Sequence, residues 1–210
     1  MSGANGEAFR VMVRVHIHPG MEGEFEKTWR DVAAGIARHP ANLGQSLAKD
    51  DNEDGAYYIV SDWESEQKFR QFEKSAEHAV NRTRLDPYRD RGHASMTAMT
   101  VVASVAPVRP AGRARVVLNL ADAPDAALIE KAYHQISGEL AGRAGLYGNE
   151  LLRSVYEPRK FTILSEWADV ATWREWEQSA EHLPTTSPLA KYLDEKNGAS
   201  FGAYEVVAAY

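Results

Sequence analysis

The stretch SDWESEQKFRQFEKSAEH, residues 61–78, returns without a gap as SEWADVATWREWEQSAEH, residues 165–182. In both, a strand-like run ends in Ser, an acid and Trp (Trp63, Trp167). Aromatic residues then follow at helical spacing (Phe69 and Phe72; Trp173 and Trp176), and the stretch closes on Ser-Ala-Glu-His. The shift of 104 positions carries Phe25, Trp29, Val32 and Ile36 onto Ile129, Tyr133, Ile136 and Leu140, and Gly44 onto Gly148. A period of about 100 residues is a whole small domain duplicated, not a solenoid repeat.

Working outward, Phe9 to Ile17 alternates Val11, Val13, Val15 and Ile17 against Met12, Arg14 and His16, the period-two pattern of a strand, and ends at Pro19-Gly20. Arg115 to Leu120 is its expected twin. Glu22 to Arg38 and Asp125 to Ala141 read as amphipathic helices. Gln45 to Lys49 with Tyr57 to Trp63, and Asn149 to Val155 with Phe161 to Trp167, read as hairpins. The segment from Ser65 to Ser75 is helical, a further helical turn falls around Leu85 and Leu189, and Ser95 to Val105 and Phe201 to Ala208 supply last strands.

Each half is therefore β, α, β, β, α, β, the ferredoxin-like order. Helices cover one face of such a sheet, so the other needs a partner. The expected fold class is α+β: tandem ferredoxin-like repeats forming an intrachain pseudo-dimeric α+β barrel. The expected domains are residues 9–106 and 113–210, joined by a Pro- and Gly-rich linker at 107–112.

With 210 residues, 44% hydrophobic content and a formal net charge of −6, the chain has the composition of a globular domain and lacks the basic excess of a nucleic-acid binder. No apolar run is long enough to span a bilayer, and residues 1–8 lack the order of a signal peptide, so the expected location is cytoplasmic, with no membrane partner. The absence of cysteine removes thiolate metal sites and cysteine nucleophiles. Gly-rich phosphate loops, the Gly-X-Ser-X-Gly elbow and His-Glu-X-X-His are also missing from the sequence. His16-Ile17-His18 has a spacing that metal sites use but lacks an identifiable third ligand, so no metal is expected. His134 lies off the apolar helix face and is read as exposed.

The Trp-ended strand, the aromatic helix and Ser-Ala-Glu-His together resemble the antibiotic biosynthesis monooxygenase family of dimeric α+β barrels, over nearly the whole chain, twice. That superfamily includes cofactor-free oxygenases of aromatic polyketides, haem-degrading enzymes, isomerases and proteins without known activity. The resemblance to the polyketide oxygenases implies a site between sheet and helices, made of the strand-end Trp, a helix Tyr, a strand Asn and an Arg beyond the helix. Trp63 and Trp167 match. The Tyr position falls on Phe69 and Trp173, the Asn position on Ile59 and Ile163, and the Arg region holds Arg82 and Arg84 in the first copy but Thr186 and Ser187 in the second.

The resemblance thus implies a monooxygenase, with Trp63, Arg82 and Arg84 as the expected catalytic residues and the first copy as the expected active one. Arg82 or Arg84 would stabilise a substrate anion. The plain alternative is that both are solvated cations at a helix C-terminus. Tyr57, Ile59, Phe69, Phe72, Trp167, Trp173 and Trp176 are the expected substrate-binding residues, each also a candidate for ordinary core packing.

The expected partners are a small aromatic substrate and dioxygen, with no bound cofactor and an assembly of two pseudo-dimers. Reduced flavin as co-substrate, cyclisation of a polyketide, or a noncatalytic binding role are the alternatives. Haem ligation finds little support. Its Asn, Trp and His positions map to Val13 and Val117, to Phe72 and Trp176, and to Arg82 and Thr186, and only Trp176 fits. His78 and His182 are read as local capping or hydrogen-bonding groups.

Overall fold

The computed structural model describes residues 9–106, 113–121, 125–194 and 201–210. The expected linker at 107–112 lies outside them. The chain divides into one unit running to Thr100 together with Val207–Tyr210, and a second unit of Val101–Val206.

In the first unit the elements are β1 (Phe9–Ile17), α1 (Glu22–Ile36), β2 (Asn42–Asp50), β3 (Ala56–Trp63), α2 (Glu66–Glu73), α3 (Ala76–Leu85) and β4 (Arg89–Ala106), whose last residues belong to the second unit. The second unit continues with β5 (Ala114–Leu120), α4 (Ala126–Glu139), β6 (Leu146–Ser154), β7 (Phe161–Trp167), α5 (Val170–Glu177), α6 (His182–Ala190) and β8 (Phe201–Ala209). Pairing is antiparallel throughout, in the order β4-β1-β3-β2 and, independently, β8-β5-β7-β6. The protein is a tandem α+β fold of two ferredoxin-like units.

Two details exceed the sequence reading. The turn expected around Leu85 and Leu189 is a full helix in each unit, and β4 begins at Arg89, six residues before the expected Ser95. The shift of 104 also fails in the first strand of each copy. Arg10 pairs with Asp62, and Arg115 with Glu166, so β1 maps onto β5 with a shift of 105. Arg115 therefore stands one position nearer in sequence to Ile129 than Arg10 does to Phe25.

The periodicities fold as physical chemistry requires. Phe25, Trp29, Val32 and Ala33 form the buried face of α1 and cluster with Val15, Leu47 and Tyr57. The corresponding face of α4 buries Ile129, Tyr133, Ile136 and Ser137. Gly44 and Gly148 mark the same irregularity in β2 and β6, where the register slips against Asp62 and Glu166. Gly55 is required at the first hairpin. Its φ is +77°, and a Cβ there would lie 2.9 Å from the Ile17 carbonyl oxygen.

The first unit is completed by the chain's end: Gln45 and Tyr210 exchange both backbone hydrogen bonds at 2.9 Å, and the Tyr210 ring approaches Trp29 at 6.1 Å. No helix among the described residues is long and apolar enough to cross a membrane.

Candidate functional site

A cavity of about 270 Å³ opens in the second unit beneath Trp167, and every residue lining it belongs to that unit. Its volume is near the lower end of ligand pockets, roughly 300–1,000 Å³. The wall is chiefly apolar and aromatic. Ile163 and Trp167 contribute from β7, Trp173 and Trp176 from α5, and Phe201 from β8. Trp167 and Trp176 stack with centroids 5.5 Å apart, and the Trp167 indole N–H donates to Ser165 Oγ at 3.0 Å.

Local structure explains how α5 presents these rings. Asp169 caps the helix, its carboxylate accepting from the Thr172 amide at 2.7 Å. Trp173 and Trp176 lie three residues apart and so share one face. Both are buried.

A polar group sits among the apolar ones. Asn149, on β6, donates from Nδ2 to Ser137 Oγ at 3.0 Å, while its backbone carbonyl accepts from the Tyr133 hydroxyl at 2.6 Å. Burial raises the Tyr133 pKa, which keeps that phenol protonated and donating. Asn149 Oδ1 and Trp176 Nε1 are both buried without a hydrogen-bond partner among the described residues. One is an acceptor and the other a donor, and both residues line the cavity. Unsatisfied buried polar atoms are costly, and an acceptor and a donor of this kind belong to residues of one cavity wall.

His182, Glu177 and Thr186 complete the polar part of the lining. Burial lowers the His182 pKa, opposed by the Glu177 carboxylate. The imidazole meets Trp176 edge-on.

The first unit is arranged differently. Trp63 is packed by the rings of Phe69, Phe72 and His39, at 5.5, 4.8 and 5.7 Å. Tyr57 is buried against Phe25, donating its hydroxyl to Glu26 at 3.0 Å, and Ile59 packs beside the same cluster. Where the second unit has Asn149 and Ser137, the first has Gln45 and Ala33, and Gln45 Nε2 donates to the Ala33 carbonyl at 2.8 Å. Arg82 and Arg84 are exposed on α3, Arg84 lying 3.7 Å from Asp31, and neither lines the cavity.

The structure thus gathers Ile163, Trp167, Trp173 and Trp176 at one site and leaves the expected first-copy residues outside it. Asn149 and Ser137 went unnoticed in the sequence. Their signal is the contrast between copies, Ser for Ala and Asn for Gln. His78 bonds locally, its Nδ1 to the Glu73 carbonyl at 2.8 Å, and His182 bonds locally through its backbone, its N–H donating to the Ser179 carbonyl at 3.2 Å, while its residue also lines the cavity. Elsewhere, His16 pairs with Glu53 at 2.6 Å, and no three metal-binding side chains are grouped among the described residues.

Comparison with known proteins agrees with this architecture. The sequence matches the antibiotic biosynthesis monooxygenase family at residues 8–82 and again at 113–185. Among curated proteins it is similar to Protein SchA of Streptomyces halstedii, 32% identical over 83 residues, or 39% of this chain and 22% of that one. It is also similar to the 42.8 kDa protein in the whiE locus of Streptomyces coelicolor, 38% identical over 80 residues, or 37% of this chain and 20% of that one. The aligned stretch thus spans about a fifth of each curated relative.

Among solved structures, a monooxygenase-type protein of Fusobacterium nucleatum superposes with a TM-score of 0.72 at 11% identity, covering 98% of this chain and 94% of that one. An anthrone oxidase-like protein superposes with a TM-score of 0.72 at 9% identity, covering 100% and 95%. At such identities these two superpositions speak to fold. The two family matches span more than half of the sequence, so the chain belongs to the antibiotic biosynthesis monooxygenase family.

Proposed function

We propose that the protein is a cofactor-independent oxygenase that converts an aromatic polyketide-like phenol or anthrone to a quinone, using the cavity of the second unit. The observation that carries this reading is a tryptophan-walled cavity in which Asn149 Oδ1 and Trp176 Nε1 are buried and unpartnered. Indole faces favour flat rings, and the acceptor and donor match a hydroxyl and a carbonyl on such a ring system. The cavity's modest volume suits a compact fused-ring molecule better than a long chain.

In this reading the substrate supplies its own reducing power. Loss of a proton gives an electron-rich anion, which passes an electron to dioxygen. The radical pair combines to a peroxide, and loss of water leaves the quinone, so one anthrone and one O2 yield one quinone and one H2O. The protein contributes orientation and a dry setting for the anion. The anion-stabilising role expected of Arg82 and Arg84 is not retained, because both are solvent-facing and outside the cavity. Family membership supports oxygenation, and the walls support an aromatic substrate.

The test is oxygen uptake by purified, chelator-treated protein with a panel of hydroxyanthrones and naphthols. The reading expects catalysed uptake without additives, at one O2 per quinone. Uptake only with added reduced flavin would replace it by the flavin-using alternative. Binding without uptake in either condition would replace it by a binding role.

A further inference from the structure

The motif Ser-Ala-Glu-His occurs in both units, but its histidine is used in two ways. In the first unit Ser75 caps α3, its Oγ accepting from the His78 amide, and the His78 ring spends Nδ1 on the Glu73 carbonyl. In the second, Pro184 lacks the N–H that a helix starting at Ala180 would need to bond back to that residue's carbonyl. The helix therefore starts three residues on from its motif serine, at His182, with Pro184 in its first turn, where the missing donor costs nothing. Pro188 removes another donor, and the Pro184 carbonyl accepts from Ser187 Oγ instead.

The consequence is a half-buried imidazole at the cavity wall whose ring nitrogens have no hydrogen-bond partner among the described residues. It stands 4.5 Å from Trp176, centroid to centroid, with the rings at 89°. The charged groups around it are few. Glu177 on α5 lines the same cavity. Glu181 precedes it and is paired with Arg143, whose guanidinium lies 5.8 Å from the Trp176 centroid.

We propose that His182 is the base that takes the phenolic proton of an aromatic substrate lying against Trp176, an assignment that rests on reading the cavity as the substrate site. In this step the phenol O–H bond breaks and an imidazole N–H bond forms, leaving a phenolate and an imidazolium. No electron moves. Glu177 stabilises the imidazolium. Burial keeps the free imidazole unprotonated near neutrality, ready to accept.

The test uses 2-hydroxyanthraquinone, which is already oxidised and reports ionisation by its visible absorption. At a pH below the dye's own pKa, wild-type protein should bind it with growth of the phenolate band, and His182→Gln should bind it in the phenol form. His182→Asn is a second variant, and far-UV circular dichroism confirms folding of both. In wild type, the apparent ionisation midpoint of the bound dye should lie below that of the free dye. Turnover of a hydroxyanthrone should fall ~10²–10⁴-fold in His182→Gln. An equal phenolate band in wild type and both variants would overturn the assignment, as would failure of wild type to bind or ionise the dye. Ionisation that depends on His182 in a protein showing no oxygen uptake would uphold the base and sink the oxygenase.

Discussion

The His182 imidazole stands edge-on to the Trp176 indole, 4.5 Å between centroids, whereas in the first unit the His78 ring lies tilted to Phe72 at 5.3 Å with one nitrogen already bonded to a backbone carbonyl. The same four-residue motif therefore leaves the imidazole without a hydrogen-bond partner among the described residues in one unit and bonded to the backbone in the other.

This contrast has a pH signature. Burial holds the His182 pKa below its ordinary value of 6.5. The unfolded chain thus takes up this proton first as pH falls. The group's contribution to stability is complete above 6.5 and is lost as pH falls through that value toward the folded one. Chemical denaturation as a function of pH should show a shallower acid-side slope in His182→Gln than in wild type. An unchanged slope would place the imidazole in ordinary solvent.

Asn149 is expected to recognise the ligand more than it stabilises the fold. Asn149→Ala removes the bond to Ser137, worth about 1 kcal/mol net, together with the unpartnered Oδ1. Dye affinity should drop about tenfold, the usual effect of losing one good polar contact, with a smaller change in unfolding free energy. Calorimetric titration and urea unfolding separate the two. An affinity equal to wild type would show that Oδ1 does not face the ligand.

Gly145 holds the start of β6 against α5. Its φ is +83°, and a Cβ built there would lie 2.3 Å from Thr172 Cγ2, while its carbonyl accepts from Ala168 N at 2.7 Å. Gly145→Ala should cost about 2 kcal/mol from left-handed backbone strain and overpacking. Adding Thr172→Ser, which deletes the clashing methyl, should restore part of that. Additive losses in the double mutant would contradict the contact.

Much of the fold was legible because a duplicated sequence reports every pattern twice. The Trp-ended strands and the helix faces of Phe25, Trp29 and Val32 and of Ile129, Tyr133 and Ile136 follow from periodicity and spacing, whereas Gly44 and Gly148, which read in sequence as turns before Gln45 and Asn149, are bulges inside β2 and β6. The slip from 104 to 105 in the first strand was hidden. The unbroken run Val116, Val117 and Leu118 blurs the alternation that would fix the phase, and the register of Arg10 and Arg115 with their acidic neighbours reveals it.

The site was half legible. Trp167, Trp173 and Trp176, flat aromatic residues at helical and strand-end spacing, do line the cavity, but the same chemistry points to Trp63, Phe69 and Phe72, which close on each other and on His39. Charge drew attention to Arg82 and Arg84. The differences between the copies at the cavity are quieter: Asn149 for Gln45, Ser137 for Ala33, and Pro184, which lacks the backbone donor four residues on from Ala180, where a helix capped by the motif serine would start.

The most direct measurement compares two substitutions at matching positions. Thr186 lines the cavity, and Arg82, 104 residues earlier, is exposed on α3. Oxygen uptake with the best hydroxyanthrone is measured for Thr186→Trp and Arg82→Trp beside wild type, after confirming that both are folded. The account predicts that Thr186→Trp, which fills the cavity, abolishes catalysed uptake while Arg82→Trp retains it. Uptake lost in Arg82→Trp and kept in Thr186→Trp would contradict it and return the site to the first unit.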